Sequence, residues 1–185
     1  MIIGICGKSG SGKSTLANMI IDKYKDKAVH VDIDKIGHKV EEYDDVKKMI
    51  GDKFGKQVII NEKVDRKELG KIVFSSDEMM EVLTNITWPS MIIEIDKILD
   101  ENKDKVVILD WLLLPKTKYF DICDFKVLLD MPYEVRMERA LKRDGITKEK
   151  FELRDKASFN YEGYEFDYVI KDDGLENIKR MVMKI

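Results

Sequence analysis

Residues 7–14 read "GKSGSGKS", directly after the apolar-leaning run "IIGIC" (2–6). The stretch matches G-x-x-x-x-G-K-[ST] at every required position. Each residue type in it has a task. Glycines at 7, 10 and 12 let the chain turn through backbone angles closed to other residues, so that successive N–H groups converge on one anion. Lys13 brings a point charge to β- and γ-phosphates. Ser14 offers a hydroxyl to Mg²⁺, and the N-terminus of a following helix adds its dipole. Gly7, Gly10, Ser11, Gly12, Lys13, Ser14 and Thr15 are therefore the expected nucleoside-triphosphate-binding residues.

Working outward, short apolar runs alternate with longer stretches of helical period, the pattern of a parallel α/β sheet. "IIGIC" (2–6), "AVHVD" (28–32), "KVVILD" (105–110), "FKVLLD" (125–130) and "DYVIK" (167–171) read as buried strands. Leu16, Ile20 and Tyr24 fall at helical spacing within 13–26. A long helix is expected over 77–102, bent at Trp88-Pro89 because proline donates no backbone hydrogen bond. "PYEVRMERALKR" (132–143) opens with proline as a first helical residue, and 174–184 reads as a closing helix. The expected architecture is one three-layer α/β domain over 1–185, with five parallel strands and helices on both faces. Residues 34–104 form a helical region on its acceptor side. The polar stretch "DGITKEKFELRDKASFNYEGYE" (144–165) reads equally as a helical lid or a plain surface helix and loop.

Lys and Arg number 33 against 36 Asp and Glu, a net charge of −3, so the chain has no overall basic excess for nucleic acid or an anionic membrane. Any anion site must be local. No apolar run approaches the length of a membrane span, and the N-terminus lacks the basic and apolar regions of a signal peptide. Cys6 and Cys123 both lie in apolar runs and read as buried free thiols rather than a disulfide. Together these features point to a cytoplasmic protein, with a monomer expected.

Phosphoryl transfer needs a further metal-holding group, an acceptor with a base, and cations over the migrating group. Asp110 ends the third run at the carboxyl edge of the sheet, where it can hold the metal with Ser14 or cap a turn. Asp130 ends the fourth and reads as a helix cap. Asp32 and Asp34 lie two apart in an extended segment and face one side; either can take a proton from an acceptor hydroxyl, and Asp34 can also cap the next helix. Arg139 and Arg143 share a helix face four residues apart, Arg136 precedes them, and Arg154 lies within the lid-like stretch, from which it could approach the site. Arginines aimed at phosphates would neutralise transition-state charge. His30 and His38 read as structural.

In combination these motifs resemble the dephospho-coenzyme A kinase family, P-loop kinases of the nucleoside-monophosphate-kinase type. "GICGKSGSGKSTLAN" resembles the family's opening and "VDIDKIGHKV" (31–40) its D-A-D-x-I-A stretch. "VDRKELGKIVF" (64–74), "RMERALKRDG" (136–145) and "DYVIKDDG" (167–174) resemble further family segments. The resemblance implies the P-loop kinase fold, with ATP and Mg²⁺ as cofactors. It implies transfer of the γ-phosphoryl of ATP to the 3′-hydroxyl of the small-molecule acceptor dephospho-coenzyme A. Asp34 matches the family's base, Lys13 and Ser14 its phosphate and metal ligands, and Arg139 and Arg143 its lid arginines. The chain departs from the family pattern at Trp88, Leu112, Lys116, Arg136, Ser158 and Lys171 or Asp172. Most of these fall on the acceptor or lid side. The alternatives are a P-loop kinase for another small acceptor, such as a nucleoside monophosphate, and an ATP-binding regulatory module without kinase activity.

Overall fold

The computed structural model describes residues 1–156, 158–171 and 175–185. The chain opens with strand β1 (Ile2–Gly7), helix α1 (Lys13–Tyr24) and strand β2 (Ala28–Asp32). Residues 33–101 then carry α2 (Ile33–Val40), α3 (Asp44–Phe54), a hairpin of β3 (Ile59–Ile60) and β4 (Lys63–Val64), α4 (Arg66–Val73) and α5 (Asp77–Glu101). The rest forms β5 (Val106–Asp110), α6 (Lys118–Asp121), β6 (Phe125–Leu129), α7 (Tyr133–Asp144), α8 (Lys148–Lys156), β7 (Tyr168–Ile170) and α9 (Leu175–Lys184). Two compact units result, residues 1–32 with 102–185 and residues 33–101.

In the first unit, a five-stranded sheet runs β2-β5-β1-β6-β7 among the described residues, and every pairing is parallel. All five expected strand runs are therefore strands. β1 lies at the centre, which is why "IIGIC" is apolar without alternation: both of its faces are covered. Ile3 and Ile5 are fully buried there, packed in one cluster with Leu16, Ala17 and Ile20 of α1 and with Ile108, Val127 and Leu129. Each buried Ile, Leu or Val side chain there stabilises by roughly 1.5–3 kcal/mol. β7 closes one edge, and its Val169 is exposed. The two cysteines are free and buried, as expected. Burial raises both thiols, Cys123 to about 12.

Residues 33–101 build their own core. Val46, Ile50 and Phe54 repeat along one face of α3 and pack with Val58, Val64, Leu69 and Val73. Asp65 caps α4, its carboxylate accepting from Lys67 N at 2.9 Å and Glu68 N at 3.0 Å. The hairpin was not anticipated. Its turn residues Asn61 and Glu62 have φ of 51° and 62°, the left-handed pair that a two-residue hairpin turn requires.

Two local expectations are corrected. Asp34 is the second residue inside α2 rather than its cap, because α2 starts directly at the end of β2. Asp130 does not cap α7: Pro132 occupies the N-cap position without a side-chain cap, and Tyr133 opens the helix. The long helix expected over 77–102 is α5, Asp77–Glu101, with Pro89 inside it. Asp172, one of the two positions compared with the family's closing Asn, lies outside the described residues.

Candidate active site

The loop between β1 and α1 has the geometry its sequence demands. Gly10 and Gly12 take φ of 79° and 97°, left-handed values that a side chain would strain. Gly12 is also the N-cap of α1 and offers no side-chain cap, so the first amides of the helix, including those of Ser14 and Thr15, are left to an incoming acceptor. A dipole end without its own cap is an anion site in waiting. The hydroxyl of Ser11 is buried inside the loop without a protein partner among the described residues.

Beside this loop lies Asp110, the last residue of β5, only 4 % exposed. Its two carboxylate oxygens are divided between two cations or potential cations. Oδ1 is 3.9 Å from Lys13 Nζ, and Oδ2 is 3.2 Å from His30 Nε2. The parallel register explains the meeting: Ile5 pairs with Asp110 and Asp32 pairs with Asp110 on its other side. His30 is thus a direct neighbour of Asp110. Among the described residues no cluster of three or more His, Cys, Asp or Glu side chains is placed to hold a metal.

The arginines separate into different roles. A Cβ on Gly10 would collide with the backbone carbonyl of Arg136, so the bare glycine is what lets the first turns of α7 approach the loop. One turn further, the guanidinium of Arg139 hangs over the loop, with Nη1 3.7 Å from where a Gly12 Cβ would stand. Arg136 itself is 5 % exposed and turned into the fold. It donates to Met131 O at 3.0 Å and to Asp155 Oδ1 of α8 at 2.6 Å. Arg143 forms a two-point pair with the adjacent Asp144, at 2.7 and 2.9 Å. Arg154 of α8 reaches the same carboxylate at 3.4 Å. Asp144 is held below the usual carboxylate range, mainly by its hydrogen bond from Arg143.

One contact of the loop had no signal in the sequence. The hydroxyl of Tyr161, in the stretch after α8, accepts from Gly7 N at 2.9 Å and donates to Leu112 O at 3.0 Å. These partners lie 154 and 49 residues away in the chain, beyond the reach of any local pattern.

Within residues 33–101, Asp34 is exposed in the first turn of α2. α2 is tied to α5 by Glu94, which accepts from Lys39 Nζ at 2.7 Å and from the hydroxyl of Tyr43. Those two hydrogen bonds, from Lys39 first, hold the Glu94 carboxyl below its ordinary range. Arg66, in the "VDRKELGKIVF" segment, donates to Glu41 Oε2 at 3.0 Å and to His38 O at 2.8 Å.

A parallel sheet with a glycine phosphate loop after its central strand, a buried aspartate at the next strand's end and an arginine over the loop defines a P-loop phosphotransfer domain. The family model for dephospho-CoA kinase matches residues 1–175. The dephospho-CoA kinase of Aquifex aeolicus is 36% identical to the chain, over 99% of it and 94% of that protein. That of Fusobacterium nucleatum is 34% identical over 88% and 83%. The chain belongs to the dephospho-CoA kinase family. In fold it is similar to a Thermus thermophilus crystal structure, with a TM-score of 0.79 at 24% identity over 100% of this chain and 95% of that one. It is also similar to the dephospho-CoA kinase of Campylobacter jejuni, with a TM-score of 0.57 at 23% identity over 99% and 94%.

Proposed function

We propose that this chain transfers the γ-phosphoryl group of ATP to the 3′-hydroxyl of dephospho-coenzyme A, giving coenzyme A and ADP. One observation carries the reading most directly: the guanidinium of Arg139 over a phosphate loop whose helix has no cap of its own, in a chain whose match to the family runs over residues 1–175.

The roles follow from charge and reach. The amides around Gly10, Gly12, Ser14 and Thr15 cradle the phosphates, and Lys13 neutralises charge at the β- and γ-positions. Mg²⁺ held through nucleotide phosphates needs only one or two protein oxygens. The hydroxyl of Ser14 and the carboxylate of Asp110 suit it in donor type, and Asp110 is already a buried carboxylate facing Lys13. Those two would hold the ion, which would supply further charge neutralisation when bound. Arg139 adds positive charge where the migrating group is most anionic, and Arg143 follows one turn later on the same helix. Residues 144–165 act as the lid, with Arg136 tying α8 to α7 through Asp155 and Arg154 joining through Asp144. Closure matters because an open site passes phosphate to water. Asp34 takes the proton of the acceptor hydroxyl; its support is the resemblance together with its charge and exposure at the start of α2. A cytoplasmic monomer completes the reading. Among the described residues no helix is long and apolar enough to cross a membrane.

The test is ADP release by the purified protein with ATP and Mg²⁺, with and without dephospho-coenzyme A, beside a panel of nucleoside monophosphates. The expected result is turnover that depends on dephospho-coenzyme A and yields coenzyme A. Turnover with another acceptor alone would redirect the assignment and implicate Trp88, Leu112, Lys116 and Ser158.

A further inference from the structure

The sheet stops holding the phosphate loop at a definite place. The β1–β5 ladder ends at the pairing of Ile5 with Asp110, and the last backbone bond across it is Trp111 N to Ile5 O at 3.1 Å. Had the ladder continued, the next outward amide of β1, that of Gly7, would have met a carbonyl of the chain leaving β5. Instead a phenol is inserted. Gly7 N–H donates to the Tyr161 hydroxyl, and that hydroxyl donates to Leu112 O, two residues past Asp110. On the other side of Gly7 there is no slack, since a Cβ there would lie 2.8 Å from Leu129 O of β6. The Tyr161 ring is itself seated edge-on against Phe159, centroids 5.1 Å apart, and Phe166, 5.9 Å apart, and Phe166 in turn packs on Phe120 at 5.3 Å.

We propose that Tyr161 is a positioning residue for the nucleotide site. Its hydroxyl extends the sheet by one side chain and fixes the first residue of the phosphate loop and the backbone beside Asp110 in a single arrangement. The segment following α8 thereby shares one atom with both halves of the phosphate and metal machinery. The inference rests on the reading of Gly7–Thr15 as an ATP-phosphate site. Removing the hydroxyl leaves the amide of Gly7, a buried residue, and the carbonyl of half-buried Leu112 without their shared partner, so the loop leaves its binding-competent arrangement for part of the time. Apparent affinity then falls by that fraction.

The test is ADP binding in the presence of Mg²⁺, by titration calorimetry on the full chain, for wild type, Tyr161→Phe and Tyr168→Phe. Tyr161→Phe is expected to weaken ADP binding by roughly 5- to 30-fold. Gly7 amide exchange, followed by NMR, is expected to quicken in the same variant. Tyr168→Phe, altered in edge strand β7 outside residues 144–165, is expected to bind as wild type. Unchanged affinity in Tyr161→Phe would overturn the proposal, and so would a lowered melting temperature with unchanged affinity, which marks a structural prop only. Should Tyr161→Phe fail to fold, Phe159→Leu keeps the phenol and removes one wall of its seat. A loss of ADP affinity there supports the proposal and wild-type affinity overturns it. Wild-type protein that binds ADP but gives no turnover with dephospho-coenzyme A would sink the acceptor assignment and leave this inference standing. Wild-type protein that does not bind ADP would end both.

Discussion

The phosphate loop and the helical unit at residues 33–101 are held in shape by different physics. In the loop the backbone does the work. Left-handed glycines, an uncapped helix start and the ends of parallel strands set the site, and the side chains there are mostly small. In residues 33–101 the elements are tied by charged side chains reaching between them: Glu94 to Lys39 and Tyr43, Arg66 to Glu41, Glu42 to the amide of Val64. A backbone site tolerates few changes of residue, and each change acts at once on phosphate binding. A unit tied by side-chain pairs can change residue by residue, with each pair contributing modestly. The chain's departures from the family pattern, at Trp88, Leu112, Lys116 and Ser158, all lie outside the loop.

Substitutions can break or sharpen this contrast. The largest effect is expected from Lys13→Ala, which removes the cation at the β- and γ-phosphates. Turnover should fall by on the order of 10³-fold or more in a steady-state assay, and near-wild-type turnover would refute the site. Asp34→Asn comes next. It should cost about 10²–10⁴-fold in kcat while leaving ADP affinity intact by calorimetry. Loss of ADP affinity instead would remove Asp34 from the role of base.

Gly10→Ala probes the backbone side of the contrast directly. The added methyl would strike the Arg136 carbonyl, and the position needs φ of 79°. The expected outcome is a destabilisation of about 1–3 kcal/mol in a denaturant melt together with weakened ADP binding. A variant as stable as wild type would show that α7 approaches the loop less closely than this structure has it.

Glu94→Gln is the mildest and belongs to the helical unit. The folded-state pKa of Glu94 is lowered from its ordinary 4.5, so its contribution is present above that pH and fades as the pH falls through the lowered folded value. The variant should therefore lose about 1 kcal/mol at neutral pH. Its stability gap from wild type should close as the pH drops below 4.5. A gap that stays constant down to acid pH would show that the Lys39 and Tyr43 bonds do not depend on the charge.

The inner strands β5, β1 and β6 were legible because a strand covered on both faces must be largely apolar along its length. The phosphate loop was legible because nothing but glycine suits its turns. The two misplaced caps, Asp34 and Asp130, fail for one reason: an aspartate near a helix start is a good cap only if the helix begins one residue later. That boundary is set by packing rather than by the aspartate. Arg136 shows the same limit. Its place among the arginines near the lid-like stretch suggested a phosphate-facing charge, but Asp155, nineteen residues on, holds it inside the fold. The hairpin at 59–64 left a faint trace in Asn61, a residue tolerant of left-handed backbone, directly after the apolar pair Ile59-Ile60.

By itself the sequence determined the parallel sheet, the anion-binding loop and the carboxylate at the end of β5, because each follows from local chemistry: burial period, glycine backbone freedom, and the place where a strand runs out. Only the tertiary structure decided which arginine overhangs the loop and which is spent on an ion pair. It also decided that a tyrosine 154 residues away would hold the Gly7 amide. Those are contacts between segments distant in the chain, and their geometry is fixed by how helices and strands pack, which no stretch of neighbouring residues encodes.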